Sequence, residues 1–261
     1  MGTTLGIKKP FAYGSEKYRG ISMNQKNFGK SNTPVGYSEE GALIYDKKRF
    51  SDPHGILFND LETEQLYKVL CQLDGHKKIL EVGCGTGRFT KIFLSTENKV
   101  YGLDLSIHML KQAISKTGKS GPVKYIQAEA GSIPLKDDIF DFVYSIRLIN
   151  QLPSREYAFE VIKEMIRVCH QEGLILLEFV NSWGITRKKS IKLSVRDVNS
   201  LLKQYPYMKI VNISGVLFFS QSFMNMVPAF LLNSFKIVDK FFANLLPQFS
   251  TRCYVTLKKG Q

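Results

Sequence analysis

Ile79-Leu80-Glu81-Val82-Gly83-Cys84-Gly85-Thr86-Gly87-Arg88-Phe89 is the stretch on which the fold turns. A short apolar run ends in three alternating glycines before a helical segment, the pattern of a buried strand turning sharply into a helix. Glycine accepts positive φ and lets a ligand come close. Gly83, Gly85 and Gly87 therefore form a candidate cradle at a strand's carboxyl end, where open α/β sheets bind ligands. A dinucleotide fingerprint would put its third glycine at position 88, which is Arg88 here. That disfavours a NAD-dependent oxidoreductase. Glu81 at the strand end would repel a pyrophosphate and suits a ligand carrying positive charge.

Downstream, strands and helices alternate. Lys99 to Asp104 and Val123 to Ala128 read as strands around a helix from Ser106 to Ser115, and Phe140 to Ser145 reads as a fourth buried strand. Arg155 to Val168 has helical spacing and Gly173 to Phe179 is a near-continuous apolar strand. Such alternation predicts parallel pairing with helices on both faces. Asp104 lies 21 residues after Gly83, the spacing at which a strand-end acid accepts hydrogen bonds from ribose hydroxyls. Glu129, just past the third strand, is placed to accept from an adenine amino group. Three acids on three successive strand ends fit an adenosine ligand with a cationic tail.

The outer parts read differently. Leu61, Leu66, Val69, Leu70 and Leu73 predict a helix before the first strand, and residues 1 to 60 read as an N-terminal lid or cap over a core of residues 61 to 261. Ser194-Val195-Arg196-Asp197 has the form of a capping box opening a helix through Leu202. Met208 to Phe219 and Cys253 to Leu257 predict two last strands, separated by an aromatic helical insertion at about 221 to 248. Its apolar stripe lies where substrate pockets are built.

The chain of 261 residues carries a net charge of +13, with +5 in residues 1 to 50 and +6 in residues 201 to 261. The excess sits mostly outside the glycine segment and keeps two polyanions in view, nucleic acid and an anionic membrane surface. Ile210 to Phe235 holds no charge, but it is too rich in Ser, Asn and Gln to span a bilayer. Cys71, Cys84, Cys169 and Cys253 show no pairing rhythm, and the first fourteen residues hold no apolar signal stretch. Both point to reduced thiols in a cytoplasmic protein with no metal site.

Taken together, these segments resemble the class I S-adenosylmethionine-dependent methyltransferases, in the ubiquinone-methyltransferase-like (type 11) group. The resemblance rests on Glu81 to Gly87, on Gly102-Leu103-Asp104-Leu105-Ser106 with Met109-Leu110, on Ala128-Glu129-Ala130 with Ile133-Pro134-Leu135, and on Phe140-Asp141-Phe142-Val143. It covers about residues 45 to 182. It implies a Rossmann-like, doubly wound sheet of seven strands with an antiparallel last strand, and S-adenosyl-L-methionine as cofactor. By resemblance Gly83, Cys84, Gly85 and Gly87 pass beside the methionine moiety, Glu81 stands at its strand end, and Asp104 holds ribose. Leu105 and Met109 flank adenine, Glu129 and Ala130 read its edge, and Ser145 lies near the sulfonium. Tyr45 and Arg49 resemble the pre-core segment that closes over the cofactor. Asn150-Gln151 stands where relatives often carry a His-His pair, which removes one source of a base.

The expected activity is methyl transfer to oxygen or carbon of a small or lipid-linked acceptor, with His54 in the lid region as candidate general base. An RNA methyltransferase is the alternative, but Ser145-Ile146-Arg147-Leu148 lacks the Asn/Asp-Pro-Pro-aromatic motif of amino-directed nucleic-acid members. A non-catalytic binding protein is the third reading, and Glu81, Asp104 and Glu129 together argue against it. Peripheral contact with an anionic membrane is a further expectation, and failure to sediment with anionic vesicles at physiological salt would refute it.

Overall fold

A computed structural model describes residues 38–95, 97–118, 123–184 and 190–260. Two helices come first among the described residues. α1 (Glu39–Phe50) is capped by Ser38, and α2 (Pro53–Leu70) is capped by the Asp52 side chain with Pro53 in its first turn. α2 thus begins eight residues before Leu61, and the expected lid–core boundary at residue 60 falls inside one continuous helix. Asp52 is the cap, and Pro53 follows in the first turn, where its missing N–H costs no intrahelical bond. The rest of the expected lid, residues 1 to 37, lies outside the described residues.

The core alternates as expected: β1 (Lys78–Val82), a 3₁₀ turn (Thr90–Ser95), β2 (Lys99–Asp104), α3 (Ile107–Thr117), β3 (Val123–Gln127), β4 (Phe140–Ser145), α4 (Arg155–Val168) and β5 (Cys169–Asn181). The segment opened by the glycine turn is 3₁₀ rather than α. It sets β-branched Thr90 and Ile92 among Phe89 and Phe93, a composition of low helix propensity. A two-residue β6 (Lys192–Leu193) precedes α5 (Val195–Leu202), whose capping box joins Ser194 and Asp197 in both directions. β7 (Met208–Val216) stops where Leu217 takes φ +59°, three residues earlier than expected. The insertion contains α6 (Gln221–Met224) and α7 (Leu232–Leu245), and β8 (Arg252–Lys259) closes the chain.

The strand order is β3-β2-β1-β4-β5-β8-β7, with β6 beside β5. Pairings from β3 to β5 are parallel, and β8 runs antiparallel between β5 and β7. This is the doubly wound sheet with seven main strands, an antiparallel last strand and an insertion before it. The central strands alternate across the sheet: Phe140 and Val143 pack toward Ile162 and Met165 of α4, while Phe142 and Tyr144 pack toward Leu66 and Val69 of α2. Both faces are therefore covered, as a parallel sheet requires. The insertion packs Met224, Val227 and Leu232 into the α2 face but leaves Met226, Phe230, Ile237 and Phe241 largely exposed. Among the described residues no helix is long and apolar enough to cross a membrane.

From β1 the chain moves outward to β2, and β4 enters on the other side of β1. Their carboxyl ends flank the point where strand order reverses, and a crevice opens there.

Candidate active site

The crevice encloses about 590 Å³ including its open mouth. Glu81, Gly83, Cys84, Gly85 and Asp104 form one side, Met109 of α3 and Tyr45 of α1 border it, and Ile146, Arg147, Leu148 and Gln151 form the side beyond β4. Seven residues singled out in the sequence are thereby brought together.

The glycine loop keeps its shape by backbone bonds. The N–H groups of Gly83 and Cys84 both donate to the Leu103 carbonyl, at 2.7 and 2.9 Å, which ties the loop to β2. Gly87 has φ +72°, and a Cβ there would lie 2.9 Å from Ala113 Cβ and Thr90 Oγ1, so conformation and packing both exclude a side chain. Gly85, by contrast, faces open space. Cys84 is buried, and burial raises its thiol pKa well above the usual range, which leaves it a packing group.

Asp104 receives the Gly85 N–H on Oδ2 at 2.8 Å and the Ser106 N–H on Oδ1 at 2.9 Å. Each oxygen keeps acceptor capacity, as a vicinal diol requires. Burial raises its pKa, opposed by the backbone N–H groups of Ser106, Gly85 and Leu105. Glu81 is deeper. Burial pushes its carboxyl up to about 8, against the Tyr144 hydroxyl that donates to it at 2.9 Å and the nearby positive charge of Arg88. A cation entering above Glu81 would favour its ionised form. An open floor over Gly85, an acid with a free acceptor on each oxygen and a second acid awaiting a cation fit a nucleoside joined to an ammonium-bearing chain.

The other predicted residues lie off the crevice wall. Arg49 is exposed, with its guanidinium 5.1 Å from the Tyr45 ring centre. Leu105 is exposed beyond β2; Glu129 and Ala130 are half-buried past β3. Ser145 ends β4 fully buried, with Oγ lacking a hydrogen-bond partner. His54 sits in the first turn of α2, where its Nε2 is 2.9 Å from the Val227 carbonyl of the insertion.

α1 is fastened to the glycine loop. Thr86 Oγ1 donates to Asp46 Oδ1 at 2.6 Å, and Lys116 of α3 pairs with Asp46 while donating to the Thr86 carbonyl at 2.7 Å.

A buried ionic cluster lies on the β4 side and was not singled out in the sequence. Glu62 of α2 accepts from Arg88 Nη2 at 2.8 Å and from Arg147 Nε at 2.5 Å. Burial raises its pKa, but Arg147 and Arg88 outweigh that and hold it at about 2. Glu178 of β5 accepts the Arg147 backbone N–H at 2.6 Å and pairs with Arg252 of β8. Arg147 takes φ +64°, uncommon for a side-chain-bearing residue. The one sequence signal for it was position, two residues past the end of a central strand. Glu62 gave none, reading simply as a polar residue within a helical pattern.

A family model described as Methyltransferase domain, of the type 11 group, matches residues 80–177. The chain belongs to the class I S-adenosylmethionine-dependent methyltransferases. Within this methyltransferase family it is 33% identical over 119 residues to Methyltransferase GfsG of Streptomyces halstedii, which is 44% of this chain and 41% of that one. It is 38% identical over 103 residues to demethylmenaquinone methyltransferase of Geobacillus stearothermophilus, 38% of this chain and 43% of that one. The chain thus spans less than half the length of these curated relatives. The structure is similar to magnesium protoporphyrin IX methyltransferase of Synechocystis PCC 6803, with a TM-score of 0.60, 12% identity and coverage of 87% of this chain and 97% of that one. At that identity the likeness concerns the fold. The family's cofactor is S-adenosylmethionine.

Proposed function

We propose that the protein is a methyltransferase that moves a methyl group from S-adenosylmethionine to oxygen or carbon of a small or lipid-linked acceptor. The observation that carries this reading is Asp104, whose two oxygens are held by the Gly85 and Ser106 N–H groups beside an open glycine floor. Asp104 would hold the ribose, Gly83 and Gly85 would pass beneath the methionine part, and Glu81 would answer its ammonium group. Tyr45 and Met109 border the same space. Gly87, Leu105, Glu129, Ala130, Ser145 and Arg49 keep the roles the resemblance implies, from the loop, the strand ends and the pre-core segment.

When bound, S-adenosylmethionine supplies a methyl group on a positively charged sulfur, with a neutral thioether as leaving group. The chain then needs no acid for expulsion, and holding the acceptor in line supplies most of the catalysis. His54 lies off the crevice wall with its Nε2 engaged by the Val227 carbonyl, so a role as general base would fall to its Nδ1 and to an acceptor reaching toward the insertion. An acceptor that is already an anion, or loses its proton readily, suits such a site. The exposed apolar face of the insertion, with Phe230 and Ile237, supports a lipid-linked acceptor among those in view.

Calorimetric titration with S-adenosylhomocysteine tests the reading, beside NADH, on wild type and Asp104→Ala. Micromolar binding that weakens about 30-fold or more in the variant is expected, from loss of charged hydrogen bonds of about 2 kcal/mol. No binding to the wild type, or binding of NADH instead, would sink it.

A further inference from the structure

The arginine cluster beyond β4 carries more positive charge than it neutralises. Among the described residues Arg88, Arg147 and Arg252 pair with two carboxylates, Glu62 and Glu178, while Glu81, the other acid near Arg88, is pushed toward its neutral form by burial. Taking charges out of water without a full set of partners is costly, so a surplus cation maintained by the fold calls for an explanation. Arg88 and Arg147 both line the crevice, but Arg88 gives Nη1 to Asn59 and Nη2 to Glu62, which leaves Arg147 as the arginine there with donors to spare. Of its guanidinium nitrogens only Nε has a hydrogen-bond partner among the described residues, on Glu62. Its side chain is nine-tenths buried, and the residue lines the crevice between Ile146 and Leu148.

The fold holds this residue at a conformational cost. A non-glycine residue at φ +64° costs on the order of 1 kcal/mol or more, and such strain gathers at ligand sites. Glu178 grips the Arg147 N–H, the Gln151 side chain donates to its carbonyl, and Glu62 fixes the guanidinium through Nε. Phe50 of α1 covers the pair, its ring centre 4.2 Å from Arg88 Cζ and 6.0 Å from Arg147 Cζ. A fork pinned through Nε presents its two Nη groups in the planar geometry that a carboxylate matches.

We propose that Arg147 binds a carboxylate in the crevice, and that this carboxylate belongs to the methyl acceptor, which is therefore an organic acid with an apolar body. The apolar body follows from Ile146 and Leu148 on either side. This rests on the methyltransferase reading above for the word acceptor, but the anion site does not depend on it. The other source of the same chemistry is the amino-acid carboxylate of the cofactor, and the two separate experimentally.

Octanoate and octanol are titrated by nuclear magnetic resonance into wild type, Arg147→Gln and Arg147→Lys, with and without saturating S-adenosylhomocysteine, whose own affinity is measured on each protein. In wild type, octanoate is expected to bind at least 10-fold more tightly than octanol. Arg147→Gln should remove that preference while S-adenosylhomocysteine affinity changes less than threefold. Arg147→Lys, which keeps the charge but loses the fork, should retain part of the preference and guards against a variant that fails to fold. Equal binding of octanoate and octanol by the wild type would overturn the anion site. Unchanged octanoate binding in Arg147→Gln, with a 10-fold loss of S-adenosylhomocysteine affinity, would assign Arg147 to the cofactor and overturn the acceptor claim. Absence of S-adenosylhomocysteine binding to the wild type would remove the methyltransferase reading alone, and the titrations without it would still decide the carboxylate site.

Discussion

The two sides of the crevice manage buried charge in opposite ways. On the β1–β2 side Glu81 and Asp104 are acids that burial pushes toward neutrality, held by a hydroxyl and by backbone N–H groups. On the β4 side arginines outnumber their carboxylates, and Glu62 is held fully ionised between two of them. The first side is short of positive charge and the second of negative charge. A ligand set with its cation over the glycine loop and an anion near Arg147 would complete both.

The largest effect that would sharpen this contrast is expected from Glu62. Glu62→Leu strips Arg88 and Arg147 of their shared buried partner, and breaking such a pair leaves uncompensated charge worth about 3–5 kcal/mol of stability. Urea unfolding reads this directly. An Asp104→Ala protein that lost as much would erase the distinction, since Asp104 is assigned to ligand binding rather than to internal neutralisation.

Glu81 offers a smaller, pH-dependent test. Its carboxyl is raised from 4.5 to about 8 in the fold, so between those values the folded protein binds more protons than the unfolded chain. Stability from this group therefore falls as pH rises from about 4.5 to about 8 and is level above. Glu81→Gln should flatten that slope when urea midpoints are compared across the range. In wild type at pH 7, S-adenosylhomocysteine should release protons as its ammonium favours ionised Glu81, seen as a dependence of binding enthalpy on buffer ionisation enthalpy. A wild type with no such dependence would place the ammonium elsewhere.

The same division marks what the sequence disclosed. The β1–β3 side was legible because its chemistry is local: glycines at fixed spacing, and Asp104 at a set distance from Gly83. The matched family segment, residues 80–177, contains that half. The cluster on the other side joins Glu62, Arg88, Arg147, Glu178 and Arg252 from five separate stretches of chain, and no spacing rule relates them. α2 was half-read for a different reason. Apolar periodicity begins at Leu61, whereas the helix begins at a cap and a proline that elsewhere mark turns. His54 was read in isolation, and its engagement by Val227, far away in sequence, was not visible there.

The fastening of α1 to the glycine loop bears on time rather than on affinity. Thr86, Asp46 and Lys116 link α1, whose Tyr45 borders the crevice, to the glycine loop. If a molecule bound beneath α1 leaves past these bonds, its release is expected to quicken when they are weakened. The Lys116–Asp46 pair is about a third exposed and open to screening, so added salt should hasten release of S-adenosylhomocysteine. Thr86→Val, which removes one bond of the clasp, should shorten its residence severalfold in stopped-flow displacement, with a smaller change at equilibrium. The helix at the entrance would then act as the clock of the catalytic cycle.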